Sequence, residues 1–450
     1  MMHCGGFGCC SGNFFVDIPG VPPLLLQALH HAAGGQRLAL VGGVVRDLLL
    51  HRHHCDPWRG LPDLDLVVEG DVMTVCERLR AQPELLELRC LKSHKAYGTA
   101  ELEVMLKRPP GDGREPIWLI DLASARQERY PNPADNPVVC SGDLDDDLAR
   151  RDFSINAMAM VLHSSMESLD VAVVDPYGGQ RDLAAKRLRL LHSRSFEDDP
   201  TRLIRAARYA ARLGFDLAFC SRQQVTSTLA HWPWPWVAGD DPSQAPAALG
   251  TRLRMELDVL LEREPWYLAI EALQAWGGLL LLEQGLQDDQ QWRFRLVWSR
   301  RFGLPLLPAW LAAAQEPVAL AQRLQLPQRQ QRFLMQWEEF RRRLRWLACH
   351  PTEGPQTPSA WTTWLERPGH SPAVVALAIA SGCRPRRPLL RWWLRWRHVG
   401  SPLSADQLMQ RENLAPGPHL GLRLKTLRLA EIDQLEECRA SSSSSRSFLS

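Results

Sequence analysis

From Val21 onward, apolar positions recur with alternating periods. Residues Leu24 to Ala33 repeat with helical spacing, Arg37-Leu-Ala-Leu-Val41 is an apolar run of strand length, and a Gly42-Gly43 pair leads into a second helical pattern. Helices interleaved with short strands continue to about Leu191, which predicts an α/β or α+β region. From Pro200 to about Leu347 the pattern becomes long helical periodicity in Leu, Ala, Arg and Gln, so an all-helical region is expected. Trp232 to Leu249 (WPWPWVAGDDPSQAPAAL) interrupts it and reads as an inserted loop, whose tryptophans are expected to pack rather than to stack on RNA bases. A second break, Pro351 to Pro358, precedes more helix, and Ser441 to Ser447 reads as a flexible end. Met1 to Gly12 is rich in Gly and Cys without periodicity, which predicts a flexible leader over 1–20; Cys4, Cys9 and Cys10 are its candidate metal ligands.

Candidate chemistry sits where the pattern changes. Leu38 to Leu50 is a buried strand, a glycine turn and a helix start, a geometry that suits a phosphate. Glycine lets the backbone approach it, the helix N-terminal N–H groups point at it, and Arg46 can add a charged fork. Downstream, Pro62-Asp-Leu-Asp-Leu-Val-Val68 places Asp63 and Asp65 two residues apart on a strand, hence on one face. Two carboxylates side by side on such a strand are costly without a cation, and oxygen ligands at that spacing suit Mg²⁺. Asp121, in Trp118-Leu-Ile-Asp-Leu-Ala123, is the candidate third carboxylate from a neighbouring strand. His51-Arg-His-His-Cys55 lacks the matching second pair that a zinc site needs.

Composition narrows the class. A chain of 450 residues with 45% hydrophobic content can form two or three domains, each with its own core. No apolar run reaches the roughly 18 residues of a membrane span, and no basic segment followed by an apolar stretch opens the chain, so a cytoplasmic protein without a membrane partner is expected. The 11 cysteines are irregularly spaced and expected to be reduced. Net charge is only +2, so affinity for nucleic acid has to come from local arginine placement. Arg341 to Arg345 and Arg384 to Arg397 supply it, interleaving arginine with tryptophan. Such segments can grip phosphates and stack on bases, or form amphipathic helices with Trp inside and Arg outside.

The combination of Gly42-Gly-Val-Val-Arg-Asp47 with Asp63-Leu-Asp65 resembles the first motif of the class II tRNA nucleotidyltransferase and bacterial poly(A) polymerase family. Arg150-Arg-Asp-Phe-Ser-Ile-Asn-Ala-Met-Ala159 resembles its second, Asp175-Pro-Tyr-Gly-Gly-Gln-Arg-Asp-Leu183 its third, and Asp198-Asp-Pro-Thr-Arg-Leu-Ile-Arg205 its fourth, where the family more often has Glu at the position of Asp198. Thr251 to Leu257 resembles the helix that follows, and Leu414 to Gly421 a segment near the family's C-terminus; the likeness is thinnest between about Leu280 and Pro402.

The resemblance implies an α+β fold: a polymerase-β-like nucleotidyltransferase head over 21–191, a helical neck over 192–280, a helical tRNA-binding body and tail over 281–438, and a flexible end over 439–450. It implies Mg²⁺ on Asp63 and Asp65, with Asp121 in support. It implies a nucleotide site drawn from Gly42, Gly43, Arg46, Arg150, Arg151, Asp152, Asn156, Asp199, Arg202, Arg205 and Arg208. On a helix, the adjacent Arg150 and Arg151 would point about 100 degrees apart, leaving one to face the nucleotide, while Asp152 and Asn156 would share a face and orient the ribose. Asp199 and Arg202, three apart on a predicted helix, would read the base. Cytosine and adenine present an amine donor beside a ring-nitrogen acceptor, so a carboxylate and an arginine accept both and reject uracil and guanine. Asp199 before Pro200 is equally an N-cap signal. The activity implied is template-independent addition of C and A from CTP and ATP to a tRNA 3′ end. CC-only, A-only and poly(A) synthesis share the motifs, and a non-catalytic RNA-binding relative would keep the scaffold.

Overall fold

The computed structural model describes residues 14–15, 17–60, 63–94, 98–107, 117–164 and 169–446; the expected leader cysteines lie outside them. Two compact units emerge: Met1–Ala238 with Pro246–Gly278, and Gly239–Ala245 with Leu279–Ser450. No described helix is long and apolar enough to cross a membrane.

The first unit is built on an eight-stranded sheet. Its strands are β1 (Phe14–Phe15), β2 (Leu38–Val41), β3 (Leu64–Val68), β4 (Leu86–His94), β5 (Thr99–Leu106) and β6 (Trp118–Ser124), joined, after the separate hairpin β7 (Arg126–Arg129) and β8 (Val138–Ser141), by β9 (Ala159–Ser164) and β10 (Leu169–Val174). The order is β1-β10-β9-β2-β3-β6-β5-β4, antiparallel except where β3 runs parallel to β6. Central strand β2 is buried along its whole length, as its Leu-Ala-Leu-Val sequence requires. Around the sheet come α1 (Pro23–Ala33), α2 (Gly43–His54), α3 (Val72–Arg80), α4 (Leu144–Ala149) and α5 (Gly179–Ala184). Leu144 and Leu148 of α4 pack on Val41, Val67 and Val161 of the sheet, which fixes the residues that follow α4 next to β2 and β3.

The same unit continues with α6 (Ser195–Asp198), α7 (Thr201–Leu213), α8 (Phe219–His231), α9 (Thr251–Arg263) and α10 (Trp266–Ala275). The expected all-helical stretch contains one short strand, Asp216–Leu217, paired with Arg187–Leu188. Helix α7 buries Leu203, Ile204, Ala206 and Ala207 and packs against α9 and α10. Its other face is a ladder of arginines, each tied to acids: Arg205 to Asp152 and Glu256, Arg208 to Glu256 and Glu264, Arg212 to Glu264. In the 232–249 segment the tryptophans pack. Trp234 is buried against Phe196 at 5.7 Å between ring centres, and its Nε1 donates to the Glu197 carbonyl.

The second unit is helical, with a 22-residue helix over Gln328–Cys349 and a closing helix over Pro418–Arg446. The serine-rich end, read from sequence as flexible from 439, is helical in backbone through Arg446.

Candidate active site

The glycine turn is a requirement of the backbone. Gly42 has φ 69° and ψ −131°, which an L side chain rarely adopts, and it caps α2. A Cβ there would stand 3.0 Å from Asp65 Oδ2 and 3.3 Å from Arg151 Nη1. The turn therefore brings the start of α2, one carboxylate of β3 and one arginine of the second motif together, and the Gly43 N–H donates to Asp65.

Asp65 carries the strongest electrostatic signal of the three acids. Burial, then the neighbouring charge of Asp121, push its carboxyl up to about 6; Arg151 pulls the other way, and Asp63 adds to the rise. Asp121 is paired in register with Asp65 across β3 and β6, and Glu101 of β5 is paired with Asp121 on its other side. Cross-strand partners share a face, so the sheet aligns three acids in a row. The Asp121 carboxyl is raised by burial, by Glu101 and by Asp63. Asp63 itself precedes the strand and is exposed. Among the described residues no group of three or more His, Cys, Asp or Glu is drawn close enough to cage an ion by itself. Mg²⁺ is commonly held by one or two carboxylates, with its remaining positions left to water and substrate phosphates, so the mutually repelling pair Asp63 and Asp65 fits that ion and not a closed cage.

The second motif corrects two expectations. Helix α4 ends at Ala149, so Arg150 and Arg151 do not continue a helix and both reach the same cavity. One fully buried carboxylate, Asp147, accepts from Arg150 Nη2 at 2.6 Å and from Arg151 Nη2 at 2.8 Å, aiming the two forks together. Glu128 of β7 holds Arg150 from the other side at 3.0 Å and also holds Arg126 at 2.8 Å. Nor do Asp152 and Asn156 share an α-helical face, because Ser154–Asn156 is a single 3-10 turn. They meet directly, Asn156 Nδ2 donating to Asp152 Oδ1 at 3.0 Å. Burial opposes ionisation of Asp152, but the Arg205 charge and the hydrogen bonds from Asn156 and Arg205 outweigh it and hold the carboxyl below its ordinary range. The third motif braces this turn: Ser154 Oγ donates to Asp182 at 2.6 Å, and a Cβ on Gly179 would lie 2.4 Å from the Ser154 carbonyl.

The fourth motif corrects another. Asp199 is extended, with φ −139°, and lies outside α7, which begins at Thr201. A residue before proline is disfavoured in the helical region, so Pro200 sets the break. The two readings of Asp199 coexist. Its Oδ1 accepts from the Thr201 N–H at 3.1 Å and from Thr201 Oγ1 at 2.6 Å, an end-of-helix role, while Oδ2 accepts from Arg252 at 2.5 Å. Arg202 is buried, with Nη1 donating to Ser195 Oγ and Nη2 to the Arg150 carbonyl.

These residues line one cavity of about 540 Å³, which takes in Gly42, Gly43, Asp65, Arg150, Arg151, Asp152, Asn156, Asp199, Arg202 and Arg205. Arg126, Glu128, Tyr130 and Arg252 are among the other residues that line it. Of the expected site residues, Asp63, Asp121, Arg46 and Arg208 are outside the lining. Arg46 is 3% exposed, donates to Asn156 Oδ1 at 2.9 Å and lies over the Tyr209 ring, so it braces the second motif instead of forking a phosphate. Arg208 is committed to Glu256 and Glu264.

The model of the poly A polymerase head domain family matches residues 38–189. A CC-adding tRNA nucleotidyltransferase of Deinococcus radiodurans is 37% identical over 318 residues, 68% of this chain and 71% of that protein. The chain belongs to the CCA-adding tRNA nucleotidyltransferase family. It is accordingly a nucleotidyltransferase of tRNA processing, in a family whose members divide among CC-adding, A-adding and full CCA enzymes. An A-adding tRNA nucleotidyltransferase of Halalkalibacterium halodurans is 38% identical over 218 residues, where the chain spans 45% of that relative's length. In fold, the Thermotoga maritima CCA-adding enzyme complexed with tRNA matches over 95% of this chain and 99% of its own, with a TM-score of 0.61 at 23% identity. A head sheet followed by helical segments is thus the architecture of the family as well as of this chain.

In the second unit the arginine and tryptophan segments separate their roles. Trp392 and Trp396 are buried, donating through Nε1 to Glu366 and Glu436, so neither offers a face for base stacking. Arg384, Arg386, Arg387, Arg391 and Arg395 are exposed. Arg341 is tied to the carbonyls of Ala312 and Ala314, whereas Arg342 and Arg345 are exposed.

Proposed function

We propose that this chain adds C and A residues from CTP and ATP to the 3′ end of tRNA without a nucleic-acid template, releasing pyrophosphate. The observation that carries this reading is that the Asp65 and glycine-turn end and the Asp199 end line the same cavity. One end is suited to phosphate chemistry, the other to a nucleobase, and a nucleoside triphosphate has both parts.

The reaction is attack of the RNA 3′-hydroxyl on the α-phosphorus with pyrophosphate leaving in line, so it requires alignment and charge neutralisation. Arg150 and Arg151, held by Asp147, meet the triphosphate beside the N-terminus of α2. Asp63 and Asp65, with Asp121 alongside, would hold Mg²⁺, which when bound neutralises phosphate charge and favours deprotonation of the attacking hydroxyl. Asp152 and Asn156, fixed by Arg205 and Arg46, orient the ribose. Asp199 accepts from the amine of cytosine or adenine, and a neighbouring arginine donates to the ring nitrogen. The exposed arginines of the second unit bind the tRNA acceptor region through its phosphates.

A narrower reading, addition of C residues alone, is favoured by the CC-adding relative that this chain matches over 71% of its length. The test is extension of a tRNA lacking its 3′ nucleotides, and of the same tRNA ending in CC, with each of the four triphosphates alone. C on the first and A on the second supports the proposal; C on the first without A on the second selects the narrower reading; incorporation of none refutes both.

A further inference from the structure

A second cavity, of about 670 Å³, lies wholly within the second unit, apart from the residues given a role above. That is the size of a small-molecule site. Arg343, Trp346 and Leu347 line it from one face of the helix over Gln328–Cys349; Trp364 and Arg367 line it from the end of the helix over Pro358–Leu365 and the residues just beyond. Trp346 is large and apolar yet 48% exposed. His350 stacks on its ring at 4.7 Å and 15°. The chain then turns: the Glu353 N–H donates to the His350 carbonyl at 3.2 Å, and a Cβ on Gly354 would stand 3.0 Å from Leu347. This tight turn brings Glu353 into the lining after Trp346.

The charges of the cavity are not cancelled within the fold. Arg343 donates from Nε to Glu339 at 2.6 Å and from Nη1 to His370 Nε2 at 3.5 Å, and its Nη2 makes no hydrogen bond among the described residues. Arginine has only donors, so the His370 nitrogen accepts; burial, then the Arg343 and Arg367 charges, hold that ring's pKa below its ordinary value. Arg367 lies over the Trp364 ring at 5.6 Å. Among the described residues neither its guanidinium nor the Glu353 carboxylate has a hydrogen bond or ion pair. An aromatic face, two guanidinium groups with open donors and a carboxylate with open acceptors complement the base, the phosphate and the base edge of a nucleotide.

We infer that the second unit carries a nucleotide site, separate from the catalytic cavity, which stacks a guanine ring on Trp346, accepts from its edge at Glu353 and holds its phosphate with Arg343 and Arg367. It goes beyond the proposed function and does not depend on it. Guanine is the base that fits because, of the four, it alone presents two adjacent donors, N1–H and the 2-amine, to the two oxygens of one carboxylate. Adenine and cytosine place an acceptor beside their amine, and the N–H of uracil stands between two carbonyls. Two sources offer this chemistry: a free guanine nucleotide, and an unpaired guanosine of a bound RNA.

The test is equilibrium binding of GMP, UMP and a tRNA transcript lacking its 3′ CCA to the full chain and to Trp346→Ala, Trp346→Phe and Arg367→Gln, with melting temperatures to show that each variant is folded. For a free nucleotide, GMP should bind more tightly than UMP. Trp346→Ala should then weaken GMP by roughly 5- to 100-fold, the range for a lost base stack, Trp346→Phe by much less, and Arg367→Gln by several-fold. For an RNA nucleotide, neither mononucleotide binds measurably and the same losses fall on the tRNA. Trp346→Ala should leave the slope of log K against log salt unchanged, because it removes a stack and no charge, while Arg367→Gln should lower it by about one. An ultraviolet crosslink from Trp346 should then fall on a guanosine. The inference is overturned if Trp346→Ala binds GMP and the tRNA as the unaltered chain does, whatever Arg367→Gln loses. It is equally overturned if UMP binds as tightly as GMP, or if the crosslink falls on another base.

Discussion

Asp65 and Asp121 stand in parallel register on adjacent strands, two like charges on one face of the sheet. The consequence is a native state strained by its own chemistry. Burial first, and then the neighbouring Asp121 charge, raise the Asp65 carboxyl to about 6, above the roughly 3.9 of an unfolded chain, so the protonated form is more favoured in the folded protein than in the unfolded one. This group's cost is absent below about pH 4, grows as pH rises to about 6, and is constant above. Asp65→Asn should therefore abolish nucleotide transfer while stabilising the metal-free protein at pH 7 by about 2–3 kcal/mol. Denaturation at pH 7 and pH 4 checks it: the gain should shrink toward the lower pH. Mg²⁺ should raise the melting temperature of the unaltered protein and not of the variant. A variant less stable at pH 7 would contradict a cost of burying the Asp65 charge beside Asp121.

Asp147 holds Arg150 and Arg151 at once from a fully buried position. Asp147→Asn keeps the shape and removes the charge, so both arginines lose their shared anchor. Removing one partner of a buried pair costs about 3–5 kcal/mol. If the two forks meet the triphosphate as proposed, the expected outcome is a lower melting temperature together with a raised KM for both CTP and ATP and an unchanged choice of base. A variant with altered CTP-to-ATP preference would place these arginines at the base instead.

Gly42→Ala puts a methyl group 3.0 Å from Asp65 Oδ2 at a backbone conformation with positive φ. Strain of that kind costs about 1–3 kcal/mol. Activity should fall more steeply than stability, since relief requires Asp65 or the turn to move. Stability and kcat measured together decide this, and an active variant would show that the close approach is dispensable.

On the second unit, Arg386 and Arg387 are exposed at the start of their helix. Replacing both by alanine should weaken tRNA binding and reduce the slope of log K against log salt by about one for every phosphate no longer neutralised, with nucleotide affinity unchanged. A slope equal to that of the unaltered chain would remove this face from the RNA-binding surface.

The parts of the site legible in the sequence are those that local stereochemistry dictates. Gly42-Gly43 announces its turn because the backbone needs glycine there, and Asp65 stands out because a carboxylate interrupts an apolar strand. Helical periodicity carried the reading of Asp199 too far, into α7, because spacing alone ignores the conformation that Pro200 imposes. The direction of Arg46 is a tertiary matter: its acceptor, Asn156, is 110 residues away. Glu101 joins the acidic row through strand register, and Arg252 meets Asp199 across 53 residues, so neither pairing leaves a mark within a sequence window. Asp147 lies in the run Asp145-Asp146-Asp147, where only its burial separates it from solvated neighbours.

The decisive measurement is the 3′ sequence of the product when a tRNA lacking its terminal CCA is incubated with the purified chain, Mg²⁺, CTP and ATP together. The expected product carries C, C and A added in that order, with no further extension. A long A tail, or an unextended tRNA, would refute the proposed activity.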